Sequence, residues 1–258
     1  RLLARFPLEA GVPPGFDIAD EARAAALLGR ARAEAALAPD APREAFRRFA
    51  ARLHGEALEG LLDRLALRRA DFHRFAEKHQ GVIFADAEIK NRHSVRQSAE
   101  GFCRTFIAKH DWKALREAAG LLAEGSAKDQ DTGERLSAAL DCVERGAHRD
   151  ALDACFAFAL TKDGDLRGSF ATAAAKKNHA WLEPLVRRFA EDAAEARDAW
   201  NAIERADDAS AALALALKLD QSYADAKHAT GALDFDDLIE HAQKLLQRSE
   251  AAPWVLYK

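Results

Sequence analysis

The sequence predicts an all-α chain, a multi-helix fold with orthogonal or bundle-like packing and little or no sheet. Three observations carry this. Alanine dominates a chain of 258 residues that holds only 14 Gly and 7 Pro, and alanine is the strongest helix former. Runs rich in Val, Ile or Thr are few, so a sheet has little to be built from. Apolar residues recur at steps of three and four through most of the chain. The balance of 49% hydrophobic and 31% charged residues is that of a soluble globular protein. No run of roughly 18 apolar residues is present to span a membrane.

Residues 6–18 read as a loop, punctuated by Pro7, Gly11, Pro13, Pro14 and Gly15. Asp17 or Asp20 then caps a helix reaching about Leu37, which Pro39 and Pro42 end. One further helix places Phe46, Phe49, Leu53, Ala57, Leu61 and Leu65 on one face. Its other face carries Arg43, Arg47, Arg48 and Arg52, either a solvated face or a phosphate-binding stripe. Val82-Ile-Phe84 is a short apolar run, strand-like or a buried turn, and Lys90-Asn-Arg-His-Ser-Val-Arg96 reads as a basic loop. Helices are expected over about 95–109, 111–124 and 130–145, with Gly125-Ser-Ala-Lys-Asp as a link, and then from His148 to Leu160. Asp163-Gly164 marks a turn. Lys162, Arg167, Lys176 and Lys177 lie around and after it, as phosphate contacts or as solvated loop residues. A long helix is expected from about Lys176 or Ala180 to about Ala199, with a continuation to Leu219 left open. Trp181, Leu185, Phe189, Ala193, Ala196, Trp200 and Ile203 repeat at steps of three or four, which predicts a core stripe rather than a base-stacking platform. Gly231 breaks the chain. Asp234 caps a last helix, with Asp236 and Asp237 matched to its dipole. A metal or acid/base site is the other reading of these three carboxylates.

The chemistry that is missing narrows function. The chain has no Gly-x-x-x-x-Gly-Lys-Ser/Thr loop, no Gly-x-Gly-x-x-Gly, no His-Glu-x-x-His and no Gly-x-Ser-x-Gly. The nine His are dispersed. Cys103, Cys142 and Cys155 form no C-x-x-C pair, which favours a reduced, cytoplasmic setting. No catalytic residue and no metal ligand set is assigned. The net charge of −4 hides an asymmetry: residues 1–190 carry 31 basic and 28 acidic side chains, residues 191–258 carry 7 and 14. A nucleic-acid partner would therefore be met through a local patch. Met is absent, where about five would be expected at average usage. That suggests a stretch cut from a longer chain, or Met and loop positions missing from the written sequence.

Leu233-Asp-Phe-Asp-Asp-Leu-Ile239, joined further on by Trp254-Val-Leu-Tyr-Lys258, resembles the segment that UvrD/Rep-like superfamily 1 helicases carry shortly before their Walker B motif. The likeness is greatest to the AddA helicase-nuclease subunits of alphaproteobacterial type. Arg1-Leu-Leu-Ala-Arg-Phe-Pro-Leu-Glu-Ala-Gly-Val-Pro-Pro-Gly-Phe16 is similar to the segment just after the Thr-x-His element of that family. Leu160-Thr-Lys-Asp-Gly-Asp-Leu-Arg-Gly-Ser169 is a looser match, and the remaining middle agrees only in helical texture. The resemblance implies a helical insertion, subdomain 1B, at residues 20–230, reached by a connector at 1–19 and left by a return helix at 231–258. It implies a parent ATP-dependent DNA helicase and nuclease of double-strand-break repair, with ATP and Mg bound elsewhere in that parent and no cofactor in this stretch. The implied partners are DNA junctions or ends, an AddB-like subunit and the remaining helicase domains, with no membrane. Lys162, Arg167, Lys176 and Lys177, and secondarily Arg43, Arg47, Arg48 and Arg52, would contact DNA. Asp234, Phe235, Asp237 and Leu238 would dock the last helix on the motor. A stand-alone α-helical protein-interaction module is the alternative.

Overall fold

A computed structural model of the chain describes residues 2–146 and 148–247. Helices account for nearly all of the described secondary structure. In chain order they are α1 (Leu2–Arg5), α2 (Pro7–Ala10), α3 (Glu21–Leu37), α4 (Ala41–Ala50), α5 (Glu56–Leu67), α6 (Arg69–Lys78) and α7 (Val82–Arg92). The rest are α8 (Ala99–Ala108), α9 (Trp112–Ala123), α10 (Ala127–Glu144), α11 (His148–Ala159), α12 (Ala173–Asn178), α13 (Leu182–Thr230) and α14 (Phe235–Gln247). Two short strands, β1 (Asp17–Ile18) and β2 (Ala232–Leu233), pair in parallel with Asp17 opposite Ala232 and Ile18 opposite Leu233. The all-α expectation therefore holds.

The chain divides into two compact units, Arg1–Glu88 with Asp208–Lys258, and Ile89–Asp207. In the first unit Leu27, Ala31, Phe49, Leu62, Leu65, Leu215, Leu219 and Tyr223 form one core. A smaller core joins Leu3, Phe6, Val12, Leu233 and Leu245. In the second unit the core gathers Leu115, Leu122, Leu136, Leu152, Phe158, Phe170, Leu182 and Phe189. Helices α9 and α10 approach closely there. A Cβ on Gly133 would lie 2.8 Å from the Ala119 carbonyl oxygen and 3.1 Å from the Leu122 Cβ.

Several elements depart from the sequence expectation. The single helix expected over 43–65 is two, α4 and α5. The break falls at Gly55, whose φ of +52° is left-handed. The turn lets Phe49, Leu62 and Leu65 reach one core. Val82, Ile83 and Phe84 are neither a strand nor a buried turn; they are exposed in the first turn of α7, and Lys90–Arg92 of the expected basic loop are helical. The expected link at 125–129 is shorter, because α10 begins at Ala127. Helix α13 runs 49 residues, past the expected end near Leu219. It contains no Gly and no Pro beyond its first turn, where Pro184 costs no hydrogen bond. Phe189, Ala193, Trp200 and Ile203 form the expected core stripe, but Trp181 precedes the helix and is exposed.

Candidate functional site

The end of α13 and the start of α14 are locked together by charge. Gly231 adopts a left-handed φ of +60° and ends α13, and β2 leads directly into the α14 cap. Asp234 Oδ1 accepts from the Asp237 N–H at 2.9 Å, and Asp237 Oδ2 accepts from the Asp234 N–H at 2.9 Å, a reciprocal capping box. Lys227 Nζ reaches back from the last turn of α13, 3.0 Å from Asp234 Oδ2 and 2.6 Å from each Asp237 oxygen. The Tyr223 hydroxyl donates to Asp234 Oδ2 at 2.9 Å. Arg69 of α6 stacks its guanidinium 4.5 Å from the Tyr223 ring centroid, and lies 3.7 Å from both Asp220 and Asp234. His73 continues the network, with Nδ1 3.1 Å from Asp220 and Nε2 3.3 Å from Glu77.

Electrostatics set the protonation of two groups here, Asp234 and Tyr223. Burial pushes the Asp234 carboxyl up, but the Asp237 N–H and Lys227 outweigh it and hold the group below the usual carboxylate range. Burial, with Asp234 beside it, raises the Tyr223 phenol well above its ordinary value. Asp234 is thus a fixed anion with its acceptors used, and Tyr223 a fixed donor. The ammonium of Lys227 sits where a metal ion would bridge Asp234 and Asp237, while Asp236 is exposed. Asp234 and Asp237 form a helix lock, not an acid/base pair.

The predicted docking residues divide accordingly. Asp234 and Asp237 serve the cap. Leu238 packs on the chain's own small core with Leu3 and Phe6. Phe235 is 71% exposed and Ile239 57%, so these two form the outward stripe. The Trp254–Lys258 part of the segment lies outside the described residues.

The arginine stripe of 43–52 is largely engaged. Arg48 Nε lies 2.5 Å from Asp208 Oδ1, and Arg52 pairs with the same carboxylate. Arg43 donates to the Leu37 carbonyl at 3.3 Å, and Arg47 lies 3.9 Å from Glu44. Arg48 and Arg52 anchor α4 and the turn after it to α13, and Asp208 stays ionised against its burial because the two guanidinium groups bond it.

The 160–177 group is mixed as well. Arg167 is a latch, with its Nε donating to the Phe158 carbonyl at 3.0 Å beside the Leu160–Leu166 bridge. Lys176 Nζ lies 3.5 Å from Glu183 and 3.4 Å from Ser169 Oγ. Lys162 and Lys177 are exposed and pair with no carboxylate among the described residues. Asp129, which sequence reasoning missed, holds this loop in place. It accepts from the Thr172 N–H and hydroxyl at 2.7 Å each, and from the Ser126 hydroxyl at 2.7 Å. Tyr223, Lys227 and Asp220 were missed too, and Arg69 read only as part of a basic texture; only the four-residue step from Tyr223 to Lys227 hinted at a shared face.

Cys103 and Cys155 offer no nucleophile. Burial raises the Cys103 thiol to about 11 and the Cys155 thiol to about 12. Among the described residues no group of His, Cys, Asp and Glu is placed to hold a metal ion, and no helix is long and apolar enough to cross a membrane. Compared with protein families, characterised proteins and solved structures, the chain matches none of them.

Proposed function

We propose that this chain is the helical accessory region, 1B-like, of an AddA-type DNA helicase-nuclease, guiding DNA and contacting the motor domains and an AddB-like partner. The observation that carries the reading is where the two ends of the fold meet. Strand β1 near the beginning pairs with β2 near the end, and α1, α2 and α14 share one small core. A region set into a longer chain departs and returns at one place in this manner. The helix after the return presents Phe235 and Ile239 outward, a stripe that a motor domain would cover.

ATP and Mg would be held by other parts of the parent protein. This chain has no phosphate-cradling loop, and Lys227 already occupies the space between Asp234 and Asp237. A cytoplasmic setting goes with the proposal.

A second reading, a stand-alone α-helical interaction module, draws on the exposed run Val82, Ile83 and Phe84. The coding sequence on either side separates the two. The helicase reading expects a phosphate-loop motif upstream of Arg1 and an Asp-Glu-x-x-Asp motif shortly after Lys258. A start codon and a stop codon close to those ends would contradict it.

A further inference from the structure

We infer that Trp181, Lys177 and Arg188 form a contact site for single-stranded nucleic acid, with the indole stacking on an unpaired base and the two cations meeting the flanking phosphates. The site deepens the nucleic-acid role proposed above and rests on it.

Trp181 is 41% exposed, the one large apolar side chain left exposed among the described residues of the unit Ile89–Asp207. The other tryptophans described there are used internally: Trp112 donates its Nε1–H to the Ile107 carbonyl at 2.7 Å, and Trp200 is buried in the core. Trp181 sits in the turn between α12 and α13, four residues after Lys177. Trp181 lies directly before α13, and Pro184 and Arg188 follow within the first two turns of that helix, all three exposed.

The surroundings are cationic. Residues 160–190 carry six Lys and Arg against three Asp and Glu, within a chain of net charge −4. One of the three acids, Glu183, is buried and already bonded by Arg187 at 2.9 Å, with Lys176 at 3.5 Å. The other two, Asp163 and Asp165, lie on the turn before Leu166. Lys177 and Arg188 are exposed and in no salt bridge among the described residues.

A single exposed ring among cations differs from the contiguous apolar patch of a protein interface. It offers the two things a single strand needs, a stacking surface and phosphate charge. Within a duplex each base is stacked on its neighbours and offers the indole no face away from the ends, so the preference is for single strands.

The test is a fluorescence-anisotropy titration of a labelled oligothymidine 20-mer with the whole 258-residue chain, across a range of salt concentrations. Trp181→Ala is expected to weaken binding roughly tenfold without changing the salt slope, and Trp181→Phe to recover most of the loss. Lys177→Ala and Arg188→Ala are each expected to lower the slope of log K against log salt by about 0.7. Circular dichroism melts should match the parent chain, because the position is exposed. If the parent chain binds and Trp181→Ala binds equally well, the stacking site is wrong and the wider nucleic-acid role stands. Equal loss on a blunt duplex overturns the single-strand preference. If the parent chain binds neither the oligomer nor a DNA junction at low salt, both the site and the wider role fall.

Discussion

Lys227 Nζ lies 3.0 Å from Asp234 Oδ2, and this buried pair joins the last turn of one helix to the cap of the next. The same ammonium bonds both oxygens of Asp237, so a single lysine bridges the two carboxylates that also cap α14. Removing it leaves Asp237 without its cation and Asp234 with only the Arg69 guanidinium, 3.7 Å away, in a half-dry site. Lys227→Met is expected to destabilise the chain by about 3–5 kcal/mol, as breaking a buried pair does. Tyr223→Phe, which removes one donor to Asp234, should cost about 1–2 kcal/mol. Urea unfolding followed by circular dichroism measures both, and an unchanged midpoint for Lys227→Met would refute the lock.

Gly133 offers a test with an unusual sign. A helical Gly→Ala change normally stabilises by up to about 1 kcal/mol. Here the new methyl would meet the Ala119 carbonyl oxygen at 2.8 Å, where backbone must shift. Gly133→Ala is expected to destabilise by about 1–3 kcal/mol. A raised melting temperature would show that α9 and α10 are not packed so closely.

Asp129 makes the second unit sensitive to acid. Burial pushes its carboxyl up, but bonds from Thr172 and Ser126 outweigh this and hold it below the usual range. A carboxyl depressed in the fold contributes stability above its unfolded value of about 3.9, and that contribution is lost as pH falls through the folded value. Acid unfolding of the parent chain should therefore steepen below about pH 4. Asp129→Asn should be less stable at pH 7 by about 1–3 kcal/mol and show a flatter acid limb. Parallel limbs for the two proteins would contradict this.

Helical texture, the cap at Asp234, the first cap to within the pair Asp17 and Asp20, and the core stripe of α13 from Phe189 to Ile203 were legible from the residues. Each is a local or periodic signal. What escaped depends on distant partners. Arg48 and Arg52 looked like a solvated face because Asp208, their partner, lies about 160 residues away in sequence. The strands β1 and β2 are two residues each, too short for any period to register, and they form only because the two ends of the fold meet. Trp181 fitted the core register by spacing alone, yet the helix starts one residue later and turns the ring outward. Leu238 looked like a docking residue, but α1 and α2 supply its cover.

The outward stripe on α14 separates folding from function. Phe235 is exposed, so Phe235→Ala should change stability by less than about 0.5 kcal/mol. In the helicase proposed as its parent, the same change is expected to lower DNA-stimulated ATPase activity. Leu238→Ala should instead reduce stability, by about 1–2 kcal/mol, because part of its packing is lost. ATPase coupling that is unaffected by Phe235→Ala would remove the docking role.

The most direct measurement is a binding titration of the whole chain with a single-strand/double-strand DNA junction at low and at moderate salt. A DNA-guiding region should bind measurably, weaken steeply as salt rises, and show little dependence on base sequence. No binding even at low salt would contradict that role, and would leave the chain as a structural or partner-facing region with no part in holding DNA.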